Sequence, residues 1–137
     1  LNSLFQAIYN KFSATTTTGF YNSVSGRMYP NFAPQGATFP YCVYFSVNDD
    51  NDLDFSEERE DFLLQFNIFS QNYSVLEAGN MLESLKAMFD NCSLTVTGWR
   101  HLQFQRGQIY PNGDYAQVPP IHGYSVEYNV LLEKERS

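Results

Sequence analysis

A chain of 137 residues with a formal net charge of −7 can bury about two-thirds of its unfolded surface, and it reads as one domain over residues 1–137 that needs no disulfide, metal or cofactor. Its eight Lys and Arg are unclustered, which excludes gripping a phosphate backbone, and no stretch of about eighteen apolar residues occurs, which excludes a spanning helix and a membrane partner. Cys42 and Cys92 lie far apart without a CxxC or Cys/His spacing and read as free thiols.

Leu1, Leu4, Phe5, Ile8 and Phe12 recur at three- and four-residue steps, which predicts a helix over 1–12. Without a basic n-region or a small-residue cleavage site this segment is not a signal peptide. "SATTTTG" ends the helix, and an extended arm over 26–40 follows, broken by Pro30, Pro34, Gly36 and Pro40. Between Met28 and Tyr41 it holds no Asp, Glu, Lys, His, Ser or Cys. Such a segment suits contact and not chemistry, so Arg27, Tyr29, Pro30, Phe32, Pro34 and Phe39 are candidate subunit or partner contacts.

Period-two alternation predicts strands over 41–47 and 61–69, with Phe62, Leu64, Phe66 and Ile68 on one face of the second. Then the period changes. "SVLEAGNMLESLKAMF" places Val75, Ala78, Leu82, Leu85 and Phe89 on one helical face, predicting a helix over 74–89 opened by a capping box of Ser74 and Glu77. Strand pieces hinged at Gly98 follow over 94–106, and a long strand over 121–132 alternates from His122 to Leu132. Between them "GQIYPNGDYAQVPP" reads as a turn excursion with an Asn112-Gly113 hairpin signal, its Tyr110, Asn112, Gly113, Asp114 and Tyr115 being candidate partner contacts. Together these elements predict an α+β fold: an antiparallel sheet of four to five strands with two helices packed on one face.

No nucleophile elbow, zinc pair, phosphate loop or dinucleotide fingerprint occurs, so the expectation is a protein that is not an enzyme. His101 and His122 sit at strand positions suited to packing; a small enzyme would need one of them paired with Asp114 in a pocket. In the acidic run "DDNDLDFSEERED", Asp50, Asp52 and Asp54 match the first three ligand positions of a calcium loop. Phe55 stands where glycine must turn and Asp61 where a glutamate must reach the ion, so no metal site is expected. Asp49, Asp50, Asp52 and Asp54 instead form a solvated, self-repelling loop, with Arg27, Arg100 and Arg106 available to pair with it or with a neighbouring subunit.

A helical start, then "GRMYP", "AP" and "FPYCVYF", an aromatic strand ending "NIFSQN", an amphipathic helix, "LTVTGW" and a final "GYSVEY" strand resemble, in that order, the tail-completion proteins of long-tailed bacteriophages and prophages. These are also called tail terminators or head-tail joining proteins. The resemblance runs from about Leu4 to Glu133 and rests on the order of the motifs. It implies a virion subunit, assembled in the host bacterial cytoplasm, that forms a ring, commonly of six, on the head-proximal end of the tail tube. The ring would meet the tube protein on one side and a head-tail connector or stopper protein on the other, with DNA passing through unbound. The acidic loop could then face the channel. A head-side connector or stopper of the neck is the alternative of the same kind.

Overall fold

The computed structural model describes residues 2–14, 19–47 and 59–134. Among these, helices α1 (Asn2–Ser13), α2 (Gly19–Ser23) and α3 (Leu76–Phe89) cover one face of a five-stranded sheet. Its strands are β1 (Met28–Pro30), β2 (Tyr41–Ser46), β3 (Arg59–Gln71), β4 (Trp99–Pro111) and β5 (Ile121–Lys134), in the order β1-β2-β3-β5-β4.

The alternation in β3 and β5 does what a period of two requires: Leu64, Phe66 and Ile68 are buried beside Tyr128, Val126 and Tyr124, their register partners, while Leu63, Gln65, Asn67 and Phe69 turn to the other face. Rings carry the contact between layers. Phe89, at the end of α3, stacks on Phe66 of β3 with centroids 4.9 Å apart and on Phe104 of β4 at 5.7 Å. Tyr128 is fully buried against Phe104 at 4.9 Å, and its hydroxyl donates to Asp90 Oδ1 at 2.6 Å. Arg106 Nη1 holds the other oxygen of Asp90 at 2.7 Å. Burial first, and then the bond to Asp90, push the Tyr128 phenol far above its ordinary range, so it stays a neutral donor.

Several expectations from the sequence are corrected. The sheet is mixed, because β1 pairs parallel with β2, Met28 opposite Cys42 and Pro30 opposite Tyr44. Nor is 26–40 an extended arm. It opens as this edge strand and then closes on itself, with a turn from Pro34 to Ala37 (N–H to carbonyl 3.0 Å) and Gly36 at φ +78. The capping box does not close reciprocally: Ser74 Oγ accepts from the Leu76 amide at 3.1 Å, but Glu77 instead accepts from the buried hydroxyl of Ser70. With that rotation the buried stripe of α3 is Ala78, Met81, Leu85 and Phe89, and Val75 is exposed.

β4 is one continuous strand that begins after Gly98 (φ +84) and runs through Ile109 and Tyr110 to Pro111. The Asn112-Gly113 pair is therefore not a hairpin turn. The ladder continues past it, Asn112 N donating to Gly123 O at 2.8 Å and Asp114 exchanging both bonds with Ile121 at 2.8 Å. Gly113 is required by proximity: a Cβ there would stand 2.6 Å from the Ile121 carbonyl oxygen.

Candidate assembly surfaces

Arg27 locks the candidate arm onto its own subunit. Its Nε donates to the Pro40 carbonyl at 3.0 Å and its Nη2 to the Phe39 carbonyl at 3.2 Å. Arg100 pairs with Glu133 and Arg106 with Asp90, again within the chain. Tyr29 and Phe39 both pack on Tyr41, at 6.2 and 5.1 Å between centroids, and Tyr41 packs on Phe69 at 5.3 Å. These four half-buried rings form an aromatic shelf on the face away from the helices. Pro30 and Pro34 are exposed, and Phe32 projects with 77% of its surface open. Pro30, with no N–H to offer, also blunts the short β1 edge.

The rest of that open face is polar, with Glu127 opposite Gln65 beside a network of neutral groups. Asn67 Oδ1 accepts from Gln65 Nε2 at 2.8 Å and from Ser125 Oγ at 2.7 Å, Asn112 Nδ2 donates to Ser125 Oγ at 3.2 Å, and the Tyr110 hydroxyl donates to Gln65 Oε1 at 3.2 Å. Amides and hydroxyls in a closed network have no proton to exchange near neutral pH, so this network can hold a shape but not perform acid–base chemistry.

The connections at one end of the sheet are tied together across a long sequence interval. Asn72 N donates to the Pro120 carbonyl at 3.2 Å, and Gln71 Nε2 to the Pro119 carbonyl at 3.1 Å. This joins the β3–α3 turn to the β4–β5 loop. Large apolar side chains stand exposed on both: Tyr73 (75%), Val75 (51%), Leu76 (71%), Tyr115 (66%) and Val118 (79%). Of these only Tyr115 was a sequence candidate. The others carry no motif, and Val75 and Leu76 are hidden in a helical apolar pattern, so only the fold reveals their grouping.

Asp114 and His122 are not brought together. Asp114 lies opposite Ile121, and its carboxylate accepts from the Ala116 amide at 3.0 Å and from Gln117 Nε2 at 3.4 Å. His122, one residue on, points to the other face of the sheet, where Tyr115 meets it edge-on at 5.5 Å and neither ring nitrogen has a hydrogen-bond partner among the described residues. The side chain of His101 and the residues Asp49, Asp50, Asp52 and Asp54 lie outside the described residues. Among those described, no group of three or more His, Cys, Asp or Glu could hold a metal ion, and no helix is long and apolar enough to cross a membrane. Both thiols are free; burial pushes Cys42 well above the ordinary thiol range and Cys92 up to about 11, so neither is a nucleophile near neutral pH.

No protein-family model and no curated protein matches the sequence. A solved structure described as the virion of a native gene transfer agent (GTA) particle contains a chain with a TM-score of 0.73 to this one, at 9% identity, covering 96% of both chains. At that identity the likeness is one of fold, and the fold of this chain is that of a chain in a gene transfer agent virion.

Proposed function

We propose that this chain is a structural, non-enzymatic protein of a phage-like virion, forming a ring on the head-proximal end of the tail tube that joins the tail to the head connector. The observation that carries this is the end-to-end fold likeness to a virion chain, at 96% coverage in both directions. With so complete an overlap, neither chain owes its match to a shared fragment. The ordered tail-completion motifs in the sequence point to the same class.

In this role the subunit works by presenting surfaces. A cyclic ring is built from heterologous contacts, so two different patches of one subunit must meet. The exposed Phe32, held out by the turn at Pro34 and braced by Arg27, is one patch; the aromatic shelf of Tyr29, Phe39, Tyr41 and Phe69 lies beside it. Both are formed before assembly, which limits the entropy lost on docking. The tube protein and the connector or stopper are the axial partners, and DNA passes without being held.

Native mass spectrometry of the purified chain, alone and with purified tail tubes, tests the ring. The expected result is a closed oligomer, of six subunits, at least on the tubes. A chain that remains monomeric on tubes, or does not bind them, would overturn the proposal.

A further inference from the structure

Asn112-Gly113 is the only Asn-Gly pair in the chain. Glycine has no Cβ to shield its amide nitrogen, so that nitrogen can attack the side-chain amide of an asparagine before it. Here Gly113 N would attack Asn112 Cγ. The bond from Cγ to Nδ2 breaks, and Nδ2 leaves as ammonia with the proton that Gly113 gives up. Water then opens the five-membered imide. Opening at Cγ leaves an aspartate, whereas opening at the backbone carbonyl leaves an isoaspartate, whose main chain runs through Cβ and Cγ. Water is consumed and ammonia released, with no oxidant or partner enzyme.

The nucleophile is accessible, but the fold keeps it from its target. Gly113 is exposed, and its amide has no hydrogen-bond partner among the described residues: Asn112 and Asp114 direct their amides to β5, and the one between them points away. Asn112 N donates to the Gly123 carbonyl at 2.8 Å, and Asp114 exchanges both bonds with Ile121 at 2.8 Å. The side chain is held as well, Nδ2 donating to Ser125 Oγ at 3.2 Å. To close the imide, Cγ must swing over the Gly113 nitrogen and the backbone at Asn112 must leave the extended region. The ladder bonds on either side oppose that rotation, and the bond to Ser125 must be given up as well.

We propose that Asn112-Gly113 is a latent self-modification site, kept closed by the extension of the β4–β5 ladder and converted when this end of the sheet opens. The products do not fit the closed ladder. An aspartate at 112 has no N–H for Ser125, whose single proton already goes to Asn67 Oδ1 at 2.7 Å, so two oxygens would face each other. Glu127, two residues along the same face of β5, adds a like charge. Isoaspartate disrupts more, because its extra main-chain atom throws Asp114 out of register with Ile121. Gly113 cannot take up the displacement towards β5, since even a Cβ there would stand 2.6 Å from the Ile121 carbonyl oxygen. Opening of this end is therefore recorded irreversibly, and a contact that keeps the connection between β4 and β5 seated preserves the asparagine.

The test incubates the purified chain at mildly alkaline pH, folded and in parallel unfolded in urea. Residue 112 is followed by peptide mapping with mass spectrometry and by enzymatic methyl labelling of isoaspartate. Conversion is expected in the unfolded chain and at least about tenfold more slowly in the folded one, because reaction through an opened state is slowed by the fraction of time spent open. Ser125→Ala, which releases Nδ2, and Gly123→Ala, which pushes the end of β4 outward, are expected to convert faster than the unchanged protein without urea. Should Gly123→Ala fail to fold, Ser125→Ala alone decides. Converted protein returned to folding conditions is expected to show fast amide exchange at Asp114 and Ile121. Equal rates in the folded and unfolded chain, no conversion at 112 in urea, or no acceleration in folded Ser125→Ala would each overturn the proposal. Recovery of slow exchange by the converted protein would overturn its irreversibility.

Discussion

Gly123 gives the sharpest test of how the β4–β5 loop is held. A Cβ at this position overlaps the carbonyl oxygen of Asn112, and it stands 2.8 Å from the Ile68 carbonyl oxygen and 3.1 Å from the Phe69 ring. Two of the three obstacles are backbone, one on each neighbouring strand, so no side-chain rotation relieves Gly123→Ala. The end of β4 must move outward by about 1 Å before ordinary contact returns. That movement strains the 2.8 Å bond from Asn112 N to Gly123 O and the pair between Asp114 and Ile121. Overpacking costs about 1–3 kcal/mol, and the strained but unbroken bonds together add about 1 kcal/mol. A destabilisation of about 2–4 kcal/mol is expected, equivalent to a fall on the order of 10 °C in melting temperature at this chain length. Urea denaturation followed by far-UV circular dichroism should show a lower midpoint with an unchanged m-value. A midpoint equal to that of the parent would refute the close approach of β4 and β5 at this point.

Other perturbations separate folding from assembly. Phe32→Ala removes an exposed ring and should shift stability by no more than about 0.5 kcal/mol while ring formation fails, read by thermal melt and native mass spectrometry. Adding Tyr29→Ala, whose ring packs on Tyr41, should cost stability as well. Changing Asp49, Asp50, Asp52 and Asp54 together to Asn should leave folding and the ring intact; if the run faces the channel, DNA passage in reconstituted particles slows, most at low salt, and unchanged passage assigns it to the outer surface. Alkaline titration probes the core: burial first, and nearby Cys42 and Tyr9 next, push the Tyr44 phenol up to about 12 from 10.0. The fold therefore binds the neutral phenol, so this contribution is complete below pH 10.0 and is lost as pH rises towards about 12, which chemical denaturation at stepped pH would detect. Constant stability across that window would contradict the burial of Tyr44.

Periodicity in the sequence was enough to say which residues enter the core of the long strands, because a buried face demands alternation: Leu64, Phe66 and Ile68, and Val126 to Leu132, are buried as the pattern requires. It likewise located the α1 and α3 helices. A period says which face is covered but not which strand lies alongside. The parallel β1, the continuation of β4 through "GQIYP" and the order β1-β2-β3-β5-β4 depend on pairings between distant segments, and no local pattern encodes them. Glycine shows the same division. Asn112-Gly113 has the composition of a turn, yet Gly113 is needed because the Ile121 carbonyl of the next strand passes close by. Arg27 reads in sequence as a partner for the acidic run or a neighbouring subunit, and only the folded loop offers it the carbonyls of Phe39 and Pro40. The apolar end is the extreme case. Tyr73, Val75 and Leu76 share one end of the sheet with Tyr115 and Val118 because two connections cross there and are joined through Asn72 and Pro120, a proximity created by tertiary packing alone.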